Sequence, residues 1–121
     1  MFKETLERLV ERTEGAVGAL IMGTDGIAVE KVMLNEAREK NLDVAAAEFT
    51  SLLKSARRVG HDTGIGQVRE LIVGFDDMKV LIRSFSRDYF AVLALQEEGN
   101  MGRGRFELRK AELDLAREFA L

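Results

Sequence analysis

The sequence has no cysteine, no proline and a single histidine, His61, among 121 residues. Without thiols there is no disulfide framework and no thiolate metal site, and one imidazole excludes a histidine-rich zinc centre. The 11 glycines follow no period, and with proline absent this removes collagen-like and low-complexity readings. Long apolar runs are also missing. Val80-Leu81-Ile82 and Ala91-Val92-Leu93-Ala94-Leu95 fall far short of the roughly 20 residues that span a bilayer, so membrane insertion is not expected. The first residues carry Glu4 and Glu7 and no apolar h-region, so no signal peptide is expected and the cytoplasm is the simplest compartment. Nor is there a basic excess: 18 Lys and Arg stand against 21 Asp and Glu, a net charge of −3, so a nucleic-acid partner is not expected. What remains is enough chain for one domain, residues 1–121, able to bury its own core.

Apolar periodicity supplies the elements. Phe2, Leu6, Leu9 and Val10 recur at helical spacing with charges between them, predicting a helix over 2–13 that Gly15 ends. Residues 16–22 are apolar on both alternating faces, the pattern of a central strand covered on both sides. Asp25-Gly26 then signals a tight hairpin into a strand over 27–33, where Glu30 and Lys31 suit an edge. After a polar connection over 34–41, Asp43 is placed to cap a helix over 43–61. Its expected buried stripe is Ala45, Phe49, Leu52, Leu53, Ala56 and Val59. Strands over 67–75, 78–86 and 89–96 follow, joined by the two-residue links Asp76-Asp77 and Arg87-Asp88, which makes them an antiparallel meander. A final helix is expected from Arg105 to Ala120.

The order is α-β-β-α-β-β-β-α, an α+β sandwich. Two strands apolar on both faces require helices on both faces, so a five-stranded, mostly antiparallel sheet should carry one helix on one side and two on the other. In a sheet ordered second-first-fifth-fourth-third, the strand over 67–75 is an exposed edge. Leu71, Ile72 and Val73 make that edge adhesive, with little protection beyond Arg69 and Glu70.

The motifs that suggest chemistry are weak. His61-Asp62-Thr63-Gly64-Ile65-Gly66 lacks the Gly-Lys-Ser/Thr ending of a phosphate loop and leads from helix to strand, so it reads as a helix stop and connector. Gly99-Asn100-Met101-Gly102-Arg103-Gly104-Arg105 lies between strand and helix, and Arg103 and Arg105 could hold an anion there. Its glycine spacing is not the dinucleotide order, and the plainer reading is a loop with unusual backbone angles. A Ser-His-Asp triad would hang on His61 alone. Glu97-Glu98 and Asp76-Asp77 are turn residues. No catalytic residue, metal site or cofactor site is expected, and the chain does not read as an enzyme.

The outer face of the second helix is more informative. Ala47, Thr50 and Ser51 are small, and Lys54, Arg57 and Arg58 lie close by. Either this is an ordinary solvated face, or it is a helix–helix seam flanked by cations, since small side chains let two helices approach closely. Together with the adhesive strand edge it suggests a symmetric dimer through one half of the molecule.

Element order, Gly15-Ala16-Val17-Gly18-Ala19-Leu20-Ile21-Met22-Gly23-Thr24-Asp25-Gly26, and Tyr89-Phe90-Ala91-Val92-Leu93-Ala94-Leu95 followed by Asn100-Met101-Gly102 give the chain its family likeness. It resembles the roadblock family, the small domains related to the dynein light chain roadblock, over essentially its whole length, as one roadblock-like domain. The bacterial and archaeal members closest in character are MglB-type proteins, which regulate a Ras-like GTPase called MglA. The resemblance implies a homodimer joined through the strands over 67–75, with Ala47, Arg69, Leu71, Ile72 and Val73 at the interface. The two second helices would then form a platform for a small Ras-like GTPase of the MglA type, carried by Thr50, Ser51, Lys54, Arg57 and Arg58. Such a protein would modulate the GTP cycle, for example by activating hydrolysis. The alternatives are a scaffold subunit without effect on nucleotide turnover, or a small anion-sensing domain using Gly99–Arg105.

Overall fold

The computed structural model describes residues 2–34 and 39–120. Its elements run α1 (Phe2–Arg12), β1 (Ala16–Gly23), β2 (Ala28–Met33), α2 (Glu39–Thr63), β3 (Glu70–Gly74), β4 (Met78–Ser84), β5 (Tyr89–Gln96) and α3 (Met101–Ala120). The expected order is observed. The five strands form one sheet ordered β2-β1-β5-β4-β3, and all four pairings are antiparallel.

The strands explain the layering. Side chains alternate across a pleated strand, so β5 sends Phe90, Val92 and Ala94 to one face and Ala91, Leu93 and Leu95 to the other. The first set packs with Leu20, Met22, Val80 and Ile82 beneath Leu42, Ala46, Phe49 and Leu53 of α2. The second packs with Ala19, Ile21 and Leu81 beneath Leu6, Leu9 and Val10 of α1 and Leu108, Ala111 and Leu115 of α3. One helix therefore covers one face and two cover the other. In β1, Ala16 and Ala19 share the α1/α3 layer although three residues apart, because the β1–β5 register shifts between Ala16 and Gly18. The β1–β2 turn is tied by Gly23 N–H donating to Ile27 C=O at 2.9 Å and Ile27 N–H donating to Asp25 Oδ1 at 3.0 Å. Gly26 takes φ 85°, the left-handed conformation expected of it.

Three expectations need correction. First, α2 begins at Glu39, so Asp43 lies inside the helix rather than at its cap; its carboxylate pairs with Lys31 of β2 at 2.8 Å. The expected 34–41 connection lies in part on residues 35–38, outside the described residues. Second, the buried stripe of α2 is Leu42, Ala46, Phe49 and Leu53, whereas Leu52 and Val59 are exposed. Third, α3 begins at Met101, so most of Gly99–Arg105 is helical and none of Gly99, Gly102 or Gly104 has positive φ. Asn100 caps the helix, its Oδ1 accepting from Arg103 N–H at 2.9 Å. Gly104 is there for proximity instead: a Cβ on it would stand 3.1 Å from Leu93 Cδ2 and 3.4 Å from Leu81 Cδ2.

Candidate functional site

Of the sheet's two borders, β2 and β3, the second is the one whose sequence reads as adhesive. Its partner on one side is β4, with Ile72 opposite Leu81, and it has no neighbour on the other among the described residues. Leu71 and Val73 turn toward α2 and pack against its core, while Ile72 points to the opposite face and is 42% exposed. Arg69, just before the strand, is exposed, and its carbonyl accepts from Ser84 N–H at 3.3 Å. The strand has five residues and no bulge, and its one charge, Glu70 at the first position, is occupied by Arg83. Beyond it, Phe75 is 53% exposed with its ring 6.4 Å from that of Phe49 on α2, so helix and strand border are joined by an aromatic contact.

The outer face of α2 lies above this border. Ser51, Lys54 and Arg58 are exposed; Ala47 and Thr50 are half-buried, and the Thr50 hydroxyl donates to Ala47 C=O at 2.6 Å. Arg57 is held against the sheet, donating from Nη1 to Arg87 C=O at 3.0 Å and from Nη2 to Ser84 Oγ at 3.0 Å. It is therefore a strut between α2 and the β4–β5 turn. Arg58 and Lys54 have neither a hydrogen bond nor an ion pair among the described residues and project outward. The same face carries Val44, Leu52 and Val59, exposed at 65%, 49% and 55%. Their spacings of eight and seven residues put them on one side of the helix, with Ser51 and Ser55 between them. Sequence reasoning assigned Leu52 and Val59 to the core and passed over Val44. The seven-to-eight-residue recurrence was the available signal that the helix has two apolar sides.

Where α2 runs into β3, an open groove of about 870 Å³ is lined by Arg57, His61, Arg69, Ser84, Arg87 and Glu112, among others. His61 and Asp62 are adjacent, exposed and 3.3 Å apart, with no nucleophile arranged on them. Arg103 and Arg105 do not converge on a common point. Arg103 pairs with Glu107 at 3.0 Å and donates from Nε to Arg12 C=O, whereas Arg105 pairs with Glu70. Among the described residues no group of three or more His, Asp or Glu side chains is placed to hold a metal ion, and no helix is long and apolar enough to cross a membrane. The arrangement offers docking chemistry: a strand with one free side, an exposed apolar row on the helix and cations beside it.

Comparison with known proteins places this architecture. A family model described as the Roadblock/LC7 domain matches residues 2–96. Among solved structures, MglC from Myxococcus xanthus is 34% identical with a TM-score of 0.73, covering 97% of this chain and 98% of its own. A Roadblock/LC7 domain from Streptomyces avermitilis superposes with a TM-score of 0.85 at 18% identity, over 98% of this chain and 97% of that one. The gliding protein MglB from Thermus thermophilus has the same TM-score of 0.85 at 20% identity, over 96% of this chain and 86% of its own. Among curated protein sequences none matches significantly.

Proposed function

The chain belongs to the Roadblock/LC7 domain family, a family of small regulatory or adaptor domains, and from that premise we propose that it is a homodimeric cytoplasmic regulator of a small Ras-like GTPase of the MglA type. Residues 1–121 act as one roadblock-like domain. Two β3 strands pair across a two-fold axis, with Arg69, Leu71, Ile72 and Val73 along the join, and the sheets become continuous. The two α2 helices then lie side by side, meeting through Ala47 and the exposed row Val44, Leu52 and Val59. Thr50, Ser51, Lys54 and Arg58 form the deck on which the GTPase sits, with Arg57 bracing it from below. The observation that supports this reading is the pairing, in one half of the molecule, of a strand border with one free side and an exposed Ile72 with an apolar outer face on the helix above it.

A docking protein without catalytic groups changes a GTP cycle by holding one arrangement of the GTPase switch segments more tightly than the other. An arginine that reached the nucleotide would also stabilise phosphoryl-transfer charge. Of the two neighbouring arginines of α2, Arg58 on the deck is free to extend, whereas Arg57 is held by Ser84 and Arg87.

The test uses the purified chain and an MglA-type GTPase loaded with GDP or a non-hydrolysable GTP analogue, with binding measured by calorimetry and turnover by phosphate release. Preferential binding to one nucleotide state and a changed turnover rate are expected, both lost in Lys54→Glu/Arg58→Glu. Binding with unchanged turnover would leave a scaffold role instead. Failure to bind either state would overturn the proposal.

A further inference from the structure

α3 sorts its charges by direction. Its five cations, Arg103, Arg105, Arg109, Lys110 and Arg117, are all exposed. Of its four acids, Glu107 is buried, Glu112 and Glu118 are half-buried, and Asp114, its side chain 48% exposed, leans on Arg8 of α1. Three of these acids are engaged within the protein, Glu107 with Arg103 and Lys110, Glu112 with Arg83 and Asp114 with Arg8, while Glu118 Oε2 has no hydrogen-bond partner among the described residues. Arg109 and Arg117 have no ion pair among the described residues. In the middle of the cationic face stand two large apolar side chains, Phe106 at 45% and Leu113 at 68% exposure, two helical turns apart. Arg103 and Lys110 bracket the Phe106 ring at 5.5 and 5.4 Å from its centroid.

We propose that this outward face of α3 docks the protein peripherally on an anionic lipid bilayer. The residues from Arg103 to Arg117 extend about 21 Å at the helical rise, a strip of cations along a convex surface. A convex strip with two protruding apolar side chains fits a plane that accepts apolar groups just below a negatively charged surface. It fits an acidic peptide poorly, because a peptide needs a groove. The cleft beside this face, between α1 and α3, has a volume of about 250 Å³ and sets Glu4, Asp114 and Glu118 against Arg8 and Arg117, so it offers an acidic peptide no net positive charge. The chain as a whole is acidic at net −3, so attraction to an anionic surface comes from this face and not from overall charge. In a dimer joined through β3 both α3 helices lie on the sheet face opposite the α2 pair, which doubles the cationic footprint and leaves the GTPase deck facing away from the lipid.

The experiment is co-sedimentation of the full chain with vesicles of phosphatidylcholine alone and of phosphatidylcholine with phosphatidylserine, at low and at elevated salt. The unmutated protein should pellet with the anionic vesicles only, and less so as salt screens the contact. Arg109→Glu/Arg117→Glu should weaken that binding at least about tenfold. Phe106→Ser/Leu113→Ser should weaken it too, while the circular dichroism spectrum stays that of the folded protein, since neither side chain belongs to the core. Equal pelleting with neutral and anionic lipid, no pelleting at low salt, or undiminished binding by a folded Arg109→Glu/Arg117→Glu variant would each overturn the proposal. Absence of lipid binding would hand the face to an acidic protein surface instead.

Discussion

Gly102 and Gly104 stand two residues apart near the start of α3 in opposite surroundings. A Cβ on Gly102 meets only Asn100 Oδ1 at 3.7 Å, whereas one on Gly104 presses on the buried Leu93 and Leu81, which would have to shift by a few tenths of an ångström. Gly102→Ala therefore trades glycine's chain entropy for helix propensity and should stabilise the fold by up to about 1 kcal/mol. Gly104→Leu should destabilise it by about 3 kcal/mol through overpacking; urea unfolding at matched protein concentration distinguishes the two. Arg83 supplies a second contrast. It is 9% exposed and spans Glu70 at 3.5 Å and Glu112 at 3.4 Å. Arg83→Ala leaves two carboxylates facing a void and should cost about 2 kcal/mol, less than a fully buried pair because both glutamates keep some solvent. Arg83→Met, which refills the space, should cost clearly less in the same assay. The glycines also show what single-residue reading confuses. Gly99, Gly102 and Gly104 look like a loop because glycine frees the backbone. At Gly104 the missing Cβ instead serves close packing of helix on sheet, a demand set by Leu93 on the preceding strand.

At the scale of elements, the order and pairing of the strands were legible, their ends less so, since β3 runs over Glu70–Gly74 and not 67–75, and α2 was only half legible. β1 and β5 announce burial on both faces, and Asp25-Gly26 announces its turn, because strand and turn signals are local. The phase of α2 is not local. Ala45, Phe49, Leu52, Ala56 and Val59 make as good a 3.6-residue stripe as Leu42, Ala46, Phe49 and Leu53, and only contact with the sheet selects the second. The helix start was missed for a related reason: Asp43 has the chemistry of a cap but is drawn to Lys31 across the β2 border. The corrected phase makes adjacent leucines differ. Leu53, 1% exposed, packs into the α2 layer, so Leu53→Ala should cost about 3 kcal/mol. Leu52→Ala removes an exposed side chain and should change the stability of the single chain by no more than about 0.5 kcal/mol. If Leu52 lies in the α2–α2 seam, the same change should nevertheless raise the dimer dissociation constant, visible as a concentration-dependent mass by light scattering.

The whole molecule carries two separable surfaces on its α2 side, and their independence makes the functional reading testable. Assembly should depend on the β3 border, where Ile72 is exposed and lies in the middle of a short strand with one free side. A negative charge at that place, duplicated across a two-fold axis, meets its own copy in the joined sheet, so Ile72→Asp should yield a folded monomer. Light scattering would then report one chain's mass at concentrations where the unmutated protein reports two, with an unchanged circular dichroism spectrum. Docking should depend on the deck. Lys54→Glu/Arg58→Glu alters exposed cations with no partner among the described residues, so the dimer should persist while GTPase binding falls. The two variants must fail differently: Ile72→Asp should lose both assembly and GTPase binding, because a single α2 offers half a deck, and Lys54→Glu/Arg58→Glu should lose binding alone. A monomeric Ile72→Asp that still bound the GTPase with full affinity would mean that one α2 suffices and that pairing of the helices is not the basis of recognition.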